Sequence, residues 1–449
     1  MRTIKHLLST VLMLATAGAA AQPTAIVNVN VIAMDAERVD AAQTVIVDDG
    51  RIIALGNTTA TSVPKNAIRI NGEGHYLIPG LAEMHAHIPS GSPEFTERVL
   101  TLFVANGITT IRGMLGHPSH LALRDKTASG TVLGPRIVTS GPSFNGRSVH
   151  SPNQAVSLVR AQRAAGYDFL KLHPGLERDE FDAIAKTANK LGIPFAGHVS
   201  LAVGLPRALA AKQATIDHFD GYMQALVRDG TKFTEEEQEF FGLALAIYVD
   251  ENKLAELAQQ TAKAGVWNVP TQSFLENMAS STSADTLQKR PEMRYMPADT
   301  VANWAKRKQR LLDDVRFNAA AAQKTLQIRR QLIKALHEAG AGLLLGSDSP
   351  QVFNVPGFAT HKELAIMVNS GLTPFEALQT GTTNPARFFG AAEQYGKIAV
   401  DQAADMLLLR ANPLVDILNT SQIAAVMLAG KWLPREKLDQ LLAQYADPQ

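Results

Sequence analysis

Tyr76-Leu77-Ile78-Pro79-Gly80-Leu81-Ala82-Glu83-Met84-His85-Ala86-His87 is the stretch that decides the fold. An apolar run, Tyr76 to Pro79, leads through Gly-Leu-Ala-Glu-Met into two histidines. In a strand, residues i and i+2 point to the same face. His85 and His87 can therefore grip one cation from the end of a single strand. Neutral imidazole suits zinc and similar ions.

The same pattern repeats along the chain. Apolar runs end near Met84, Gly113, Thr139, Leu172, His198, His218, Thr271 and Gly346, with helical patterns such as Ser151–Ala165 and Arg178–Leu191 between them. Gly166, Gly192, Gly265 and Gly340 are placed to end four of those helices. Eight strands alternating with helices predict an α/β protein with a (β/α)8 TIM barrel. Such barrels carry their chemistry at the C-terminal strand ends.

Both ends of the chain read differently. Thr44-Val45-Ile46-Val47-Asp48-Asp49-Gly50-Arg51-Ile52-Ile53-Ala54-Leu55-Gly56 is a strand, an Asp-Gly turn and a strand. Asp405–Leu409 and Ile423–Leu428 answer it near the C-terminus, and Ala429-Gly430 turns into a further short strand. These segments predict one small β-sandwich built from both termini. The expected division is a signal peptide at 1–21, sandwich parts at 22–75 and 389–449, and a barrel at 76–388.

The signal peptide rests on Arg2 and Lys5, the apolar core Leu7 to Ala17, and Ala19-Ala20-Ala21 before Gln22. It predicts a periplasmic or secreted protein. No later stretch reaches the roughly 20 apolar residues of a membrane helix. The net charge of +1 points to neither nucleic acid nor an acidic membrane surface. With no cysteine, disulfides, thiolate metal sites, cysteine nucleophiles and a lipidated cysteine anchor are excluded. A small molecule is the expected partner, and a homo-oligomer stays open.

Four more residues close apolar runs of their own. Lys171 ends Asp168-Phe169-Leu170-Lys171, His198 ends Ile193–His198, His218 ends Ala214–His218, and Asp348 follows Leu343-Leu344-Leu345-Gly346-Ser347. His198 and His218 read either as metal ligands or as buried, satisfied histidines. Asp348 reads as a ligand and proton acceptor or as a helix cap. Lys171 reads as an amine that takes up carbon dioxide to form a bridging carbamate, or as a strand-end lysine paired with Asp168.

Taken together, the chain resembles the amidohydrolase superfamily, most of all its imidazolonepropionase-like and prolidase-like branch. The resemblance is carried by Leu77–His87, Gly107-Ile108-Thr109-Thr110-Ile111-Arg112, Gly371–Leu378, Thr383-Asn384-Pro385-Ala386 and Gly396-Lys397-Ile398. It implies two divalent ions, zinc above all. One would be held by His85, His87 and Asp348, the other by His198 and His218. Carbamylated Lys171 and a hydroxide would bridge them. Asp348 and Lys171 become the catalytic pair: the hydroxide attacks an amide carbonyl and Asp348 passes the proton to the leaving amine. The implied substrate is a dipeptide or N-acyl amino acid. A lactone or ester, and a binding protein without catalysis, are the alternatives.

Mononuclear deaminases of the superfamily carry His-x-x-Glu after the fifth strand. Here the stretch is His198-Val199-Ser200-Leu201, which favours the binuclear type. The Gly-Gly-His segment of many prolidase-like relatives is replaced by Ser140–Arg147. Arg112, Arg147, His173 and Tyr222 follow strands 2, 3, 4 and 6 and are candidate substrate contacts. His173 shares the face of Lys171 and is also an alternative ligand. The long segments 223–264 and 274–339 read as a lid or as ordinary outer helices.

Overall fold

The computed structural model describes residues 22–234, 236–238 and 240–446. The expected signal peptide lies outside them.

Alternation of apolar and polar residues sets five strands before the histidine pair: β1 Thr24–Val31, β2 Asp40–Asp48, β3 Arg51–Asn57, β4 Ile68–Asn71 and β5 Tyr76–Pro79. Seven short strands follow: β6 Leu81–Ala86, β7 Ile108–Gly113, β8 Arg136–Thr139, β9 Leu170–Leu172, β10 Phe195–Gly197, β11 Thr215–Asp217 and β12 Trp267–Val269. The last three are β13 Met406–Leu409, β14 Ile423–Leu428 and β15 Lys431–Pro434.

Both chain ends enter one sheet, in the order β15-β14-β13-β5-β1-β2-β3, with β4 also on β1. The hairpins β2–β3 and β14–β15 turn on Asp49-Gly50 and Ala429-Gly430, all four at positive φ, as a two-residue primed turn requires. One edge of β1 is shared: β4 pairs with Thr24–Val27 and β5 with Asn30–Val31. The sheet branches there. Ile26, Val45, Val47 and Ile52 from one arm share a core with Leu77, Met406, Leu408 and Met427 from the other.

The middle of the chain forms two parallel sheets, β6-β7-β8 and β12-β11-β10-β9. Asp168 N donates to Thr139 O at 3.0 Å, and Ser140 and Phe169 bridge the two. Leu343 to Ser349 bonds β12 through Asn268 and β6 through Met84 and His87. This expected eighth strand bridges both neighbours without being a regular strand. Asp348, at φ 61, breaks the pleat. The architecture is a mixed α/β body, consistent with a TIM barrel, plus a β domain.

Helices between the strands start and stop as their sequences direct. Ser151 caps the helix Pro152–Ala165 through Gln154 N, and Gly166 ends it in the left-handed region. Arg178–Leu191 likewise ends at Gly192. The long segments are helical too. One holds a 3-10 stretch, Phe240–Tyr248, and the helix Lys253–Ala264; the other includes Ala298–Leu312 and Ala319–Glu338. Buried Lys308 fixes Ala298–Leu312 by donating to the carbonyls of Asn277, Met278 and Ser280 at 2.7, 3.2 and 3.0 Å. Those carbonyls end the helix Gln272–Ala279, where a cation is favoured. Among the described residues, no helix is long and apolar enough to cross a membrane.

Candidate metal centre

Each of the six singled-out residues lies at or just beyond a strand end. His85 and His87 close β6, Lys171 lies in β9, His198 follows β10, His218 follows β11, and Asp348 lies in the bridging segment. Their side chains meet. His87 Nε2 is 2.9 Å from Asp348 Oδ1, and His85 Nε2 is 3.5 Å from the same oxygen. The His218 ring centroid is 4.4 Å from that of His85 and 4.7 Å from that of His198. Backbone strain gathers here: His218, Phe219, Thr271 and Asp348 all hold positive φ. Gly197, at φ 125, lies so close to β9 that a Cβ would stand 2.3 Å from Leu172 O and 3.0 Å from Lys171 Cδ.

Hydrogen bonds set which face each imidazole presents. His198 Nδ1 pairs with Asp220 Oδ2 at 2.6 Å, and His218 Nδ1 with Thr271 Oγ1 at 2.7 Å. Each leaves Nε2 for a ligand, the arrangement by which ligating histidines are usually fixed. His85 differs. Its Nδ1 lies 3.2 Å from Asp217 Oδ2, but off the line of a hydrogen bond, and neither ring nitrogen has a partner. Burial, with Lys171 nearby, pushes its pKa well below the usual value, so the ring is neutral.

Lys171 is fully buried and its Nζ has no hydrogen-bond partner. Asp168 does not pair with it. That carboxylate is held by Arg124 at 3.0 Å and by Thr139 N at 2.8 Å. The nearest carboxylate oxygen to Lys171 is Asp217 Oδ2, at 3.6 Å. Burial lowers the Lys171 pKa against the pull of Asp217 and Asp348, which favours the reactive neutral amine. Burial works against the charge of Asp217, but Arg112 and Lys171 outweigh it and keep the carboxyl ionised.

Buried polar atoms without partners are rare in folded proteins. Five of the fourteen found among the described residues belong to this site: both nitrogens of His85, Lys171 Nζ, His173 Nδ1 and Asp217 Oδ2. One ligand atom from each of His85, His87 and Asp348 lies within 4.8 Å of the others. Neutral imidazoles around carboxylates, with unfilled bonding positions, fit a divalent cation.

Two expected substrate contacts are turned inward. Arg112 is buried at 1% exposure. It donates to Met84 O at 2.8 Å, Thr215 Oγ1 at 3.1 Å and Asp217 Oδ1 at 3.2 Å, between the rings of Phe169 and Phe388. The Tyr222 hydroxyl is buried against Thr261 and donates to Asn268 Oδ1 at 2.8 Å. Both act inside the fold, because alternation could place them on a strand end without saying which face opens to solvent. Arg147 and His173 do line an open cavity of about 450 Å³, with Leu115, Ser143, Asn145 and Gly175. The His173 ring stacks on His198 at 4.9 Å. Burial pushes its pKa down to about 2, aided by Lys171 and His198.

Several contributors were not singled out from the sequence. Asp220 and Thr271 orient the rings of His198 and His218. Glu83 lies on the strand that carries the histidine pair, and nothing local marks it. Its buried carboxylate accepts from His85 N, from Ser347 N and Oγ, and from Thr360 Oγ1. Both long segments reach over the site. The Phe241 ring lies 5.1 Å from His218 and 6.0 Å from His198. Arg307 and Gln351 stand beside Asp348.

Strand ends that bring four imidazoles, a buried lysine and an aspartate to one point define a metal centre on an α/β scaffold. The amidohydrolase family model matches residues 76–433, and the chain belongs to that family. Among curated proteins it is 32% identical to a deacetylase of Brucella anthropi over 21% of this chain and 23% of that one. It is 37% identical to a dihydroorotase of Mycobacterium tuberculosis over 15% of this chain and 14% of that one. The chain thus aligns with less than a quarter of either relative. Similar solved structures include one titled a putative prolidase from Bifidobacterium longum, at TM-score 0.68 and 24% identity, covering 95% of this chain and 99% of that one. A bottromycin amidohydrolase matches at TM-score 0.73 and 22% identity, covering 95% and 91%. At such identity the likeness concerns the fold.

Proposed function

We propose that the protein is an exported metal-dependent hydrolase that cleaves an amide C–N bond in a dipeptide or N-acyl amino acid. The observation that carries this is the buried cluster of unpartnered donor atoms shared by His85, Lys171 and Asp217, beside His87, His198, His218 and Asp348. His85, His87 and Asp348 would hold one divalent ion, and His198 and His218 a second, with zinc the best match to the imidazoles. Bound ions supply a polarised carbonyl and an activated water.

The chain's own groups do the rest. Lys171, whose charged form is disfavoured by burial, would form an N–C bond with carbon dioxide and release one proton, and the anionic carbamate would add a further ligand for the ions. Asp348 takes a proton from the attacking water and returns it to the leaving amine. Asp220 and Thr271 hold the rings of His198 and His218 in place. Phe241 covers those rings and restricts water. Arg147 and His173 line the cavity that would receive one end of the substrate. The amide reading draws support from a neighbour titled a Xaa-Pro dipeptidase and from the deacetylase relative.

We further take residues 76–388 as a closed eight-stranded barrel and residues 22–75 with 389–449 as the β domain. The bridges Ser140–Phe169, Asn268–Leu343 and Ala86–Ser349 support closure. Export to the periplasm or beyond is read from residues 1–21.

The test is metal content per chain on protein purified without chelator, with gentle intact mass and a panel of N-acyl amino acids, dipeptides and lactones. Two metals, one added carbon dioxide lost in Lys171→Ala, and turnover of amides are expected. One metal that Lys171→Ala leaves in place would overturn the bridged centre. Lactones turned over in preference to amides would overturn the substrate class.

A further inference from the structure

Arg307 belongs to the helix Ala298–Leu312, which Lys308 anchors beside the metal centre. Its Nη1 donates to Gln351 Oε1 at 3.0 Å. Gln351 Nε2 in turn donates to Asp348 Oδ1 at 3.2 Å and lies 3.4 Å from His87 Nε2. The guanidinium carbon stands 5.9 Å from the centroid of Phe274. That ring meets Phe241 edge-on at 6.2 Å and lies 6.3 Å from His218. Arg307 is also exposed, so an incoming molecule can reach it.

The Gln351 amide spans the gap between Asp348 and Arg307 with a defined polarity. A carboxylate only accepts and a guanidinium only donates, so the N–H must face Asp348 and the oxygen must face Arg307. An α-amino acid has the same polarity. Its nitrogen and its carboxyl carbon are separated by about 2.5 Å, from the N–Cα and Cα–C bond lengths. The carboxylate oxygens lie one bond farther on, so an amino acid has somewhat more reach than the amide that fills the gap.

We propose that Arg307 is the specificity residue for a carboxylate on the leaving-amine half of the substrate. The scissile nitrogen takes the place of Gln351 Nε2 at Asp348. The adjacent carboxylate takes the place of Gln351 Oε1 at Arg307, and the glutamine side chain swings aside. The inference rests on the amide-hydrolase reading and narrows it: the acyl half faces the cavity of Arg147 and His173, and the amino-acid half faces the helix of Arg307. Guanidinium pairs with carboxylate in a planar fork, which ammonium does not reproduce.

The experiment uses metal-loaded full-length protein with N-acetyl amino acids bearing aliphatic and aromatic side chains, each paired with its primary carboxamide. The ratio of kcat/KM for acid over carboxamide should be high in the wild type. It should fall about 10- to 100-fold in Arg307→Gln, the worth of a charge-assisted contact, and recover in part in Arg307→Lys. Calorimetric titration of the free amino acids should show the same loss of affinity. Wild-type turnover with no acid preference, or an equal loss on both members of each pair in Arg307→Gln, overturns the assignment. If the wild type cleaves neither, the amide reading fails, and the titration then decides Arg307 alone. Acid bound more tightly than carboxamide, with the difference lost in Arg307→Gln, upholds it; equal binding overturns it.

Discussion

Glu83 holds Ser347 twice, accepting from its backbone nitrogen and from its hydroxyl, each at 2.7 Å. The two residues belong to β6 and to the irregular segment that carries Asp348. The same carboxylate accepts from His85 N at 3.0 Å and from Thr360 Oγ1 at 2.8 Å. One buried acid thus sets the distance between a histidine ligand and the aspartate opposite it. Glu83→Ala leaves these buried donors unsatisfied and should cost at least about 3 kcal/mol, at ~1–3 kcal/mol for each orphaned donor. Denaturant unfolding measures the loss, and metal content should drop with it. A midpoint and metal content equal to the wild type would show that the cross-link does not hold the site together.

The ring-orienting bonds make a second prediction. Thr271→Val keeps the shape of the side chain but removes the partner of His218 Nδ1. Metal affinity should weaken about 10- to 100-fold, the usual cost of losing such a partner. Asp220→Ala should do the same through His198, and Asp220→Asn, which retains an acceptor, should do less. Competition with a chelator of known affinity provides the readout. Affinity unchanged in both Thr271→Val and Asp220→Ala would show that the rings are held by packing alone.

Arg112 separates a structural role from a substrate contact. It pairs with Asp217 inside the fold, at 3.2 Å. Arg112→Met should destabilise the protein by about 3–5 kcal/mol, because Asp217 loses its partner while buried. The signature is a shifted unfolding midpoint. A raised KM at unchanged stability would instead return Arg112 to the substrate.

A fourth prediction concerns pH. Glu363 is fully buried and accepts from Gln272 N at 2.8 Å and Ser273 N at 2.7 Å. Burial raises its pKa to about 7, against those hydrogen bonds. The unfolded value is 4.5. A raised folded pKa means that the contribution to stability is complete below the unfolded value and is lost as pH climbs to the folded one. Unfolding free energy should therefore decline between about pH 4.5 and 7, by up to ~3 kcal/mol at 1.36 kcal/mol per unit. In Glu363→Gln the decline over that window should be shallower. Parallel curves would show that Glu363 keeps the same charge state throughout.

The residues that meet at the site were legible in the sequence because their placement depends on local order. Each of His85, His87, Lys171, His198, His218 and Asp348 ends an apolar run, and the structure brings all six to one place. The hairpins at Asp49-Gly50 and Ala429-Gly430 were equally plain, since two-residue turns have narrow requirements. What the sequence hid depends on geometry between distant segments. Nothing local distinguishes Arg307 from its neighbours Lys306 and Arg310, yet it is Arg307 that donates to Gln351. Arg112 and Tyr222 follow the same rule of alternation as the ligands, and alternation does not tell a filled interior from an open mouth. The irregular eighth strand was likewise invisible, because the left-handed backbone at Asp348 is imposed by its surroundings.

β5 leads directly into the histidine-bearing β6, and its sheet partner β13 arrives only near the end of the chain, with Pro79 opposite Met406 and Leu77 opposite Leu408. During synthesis, then, the strand that launches the metal centre has no partner on that side until almost the whole polypeptide has emerged. Pairing so distant in sequence closes slowly. Maturation of this protein should thus be a late, concerted event that waits for the last forty or so residues, and chains cut short before β13 should never mature.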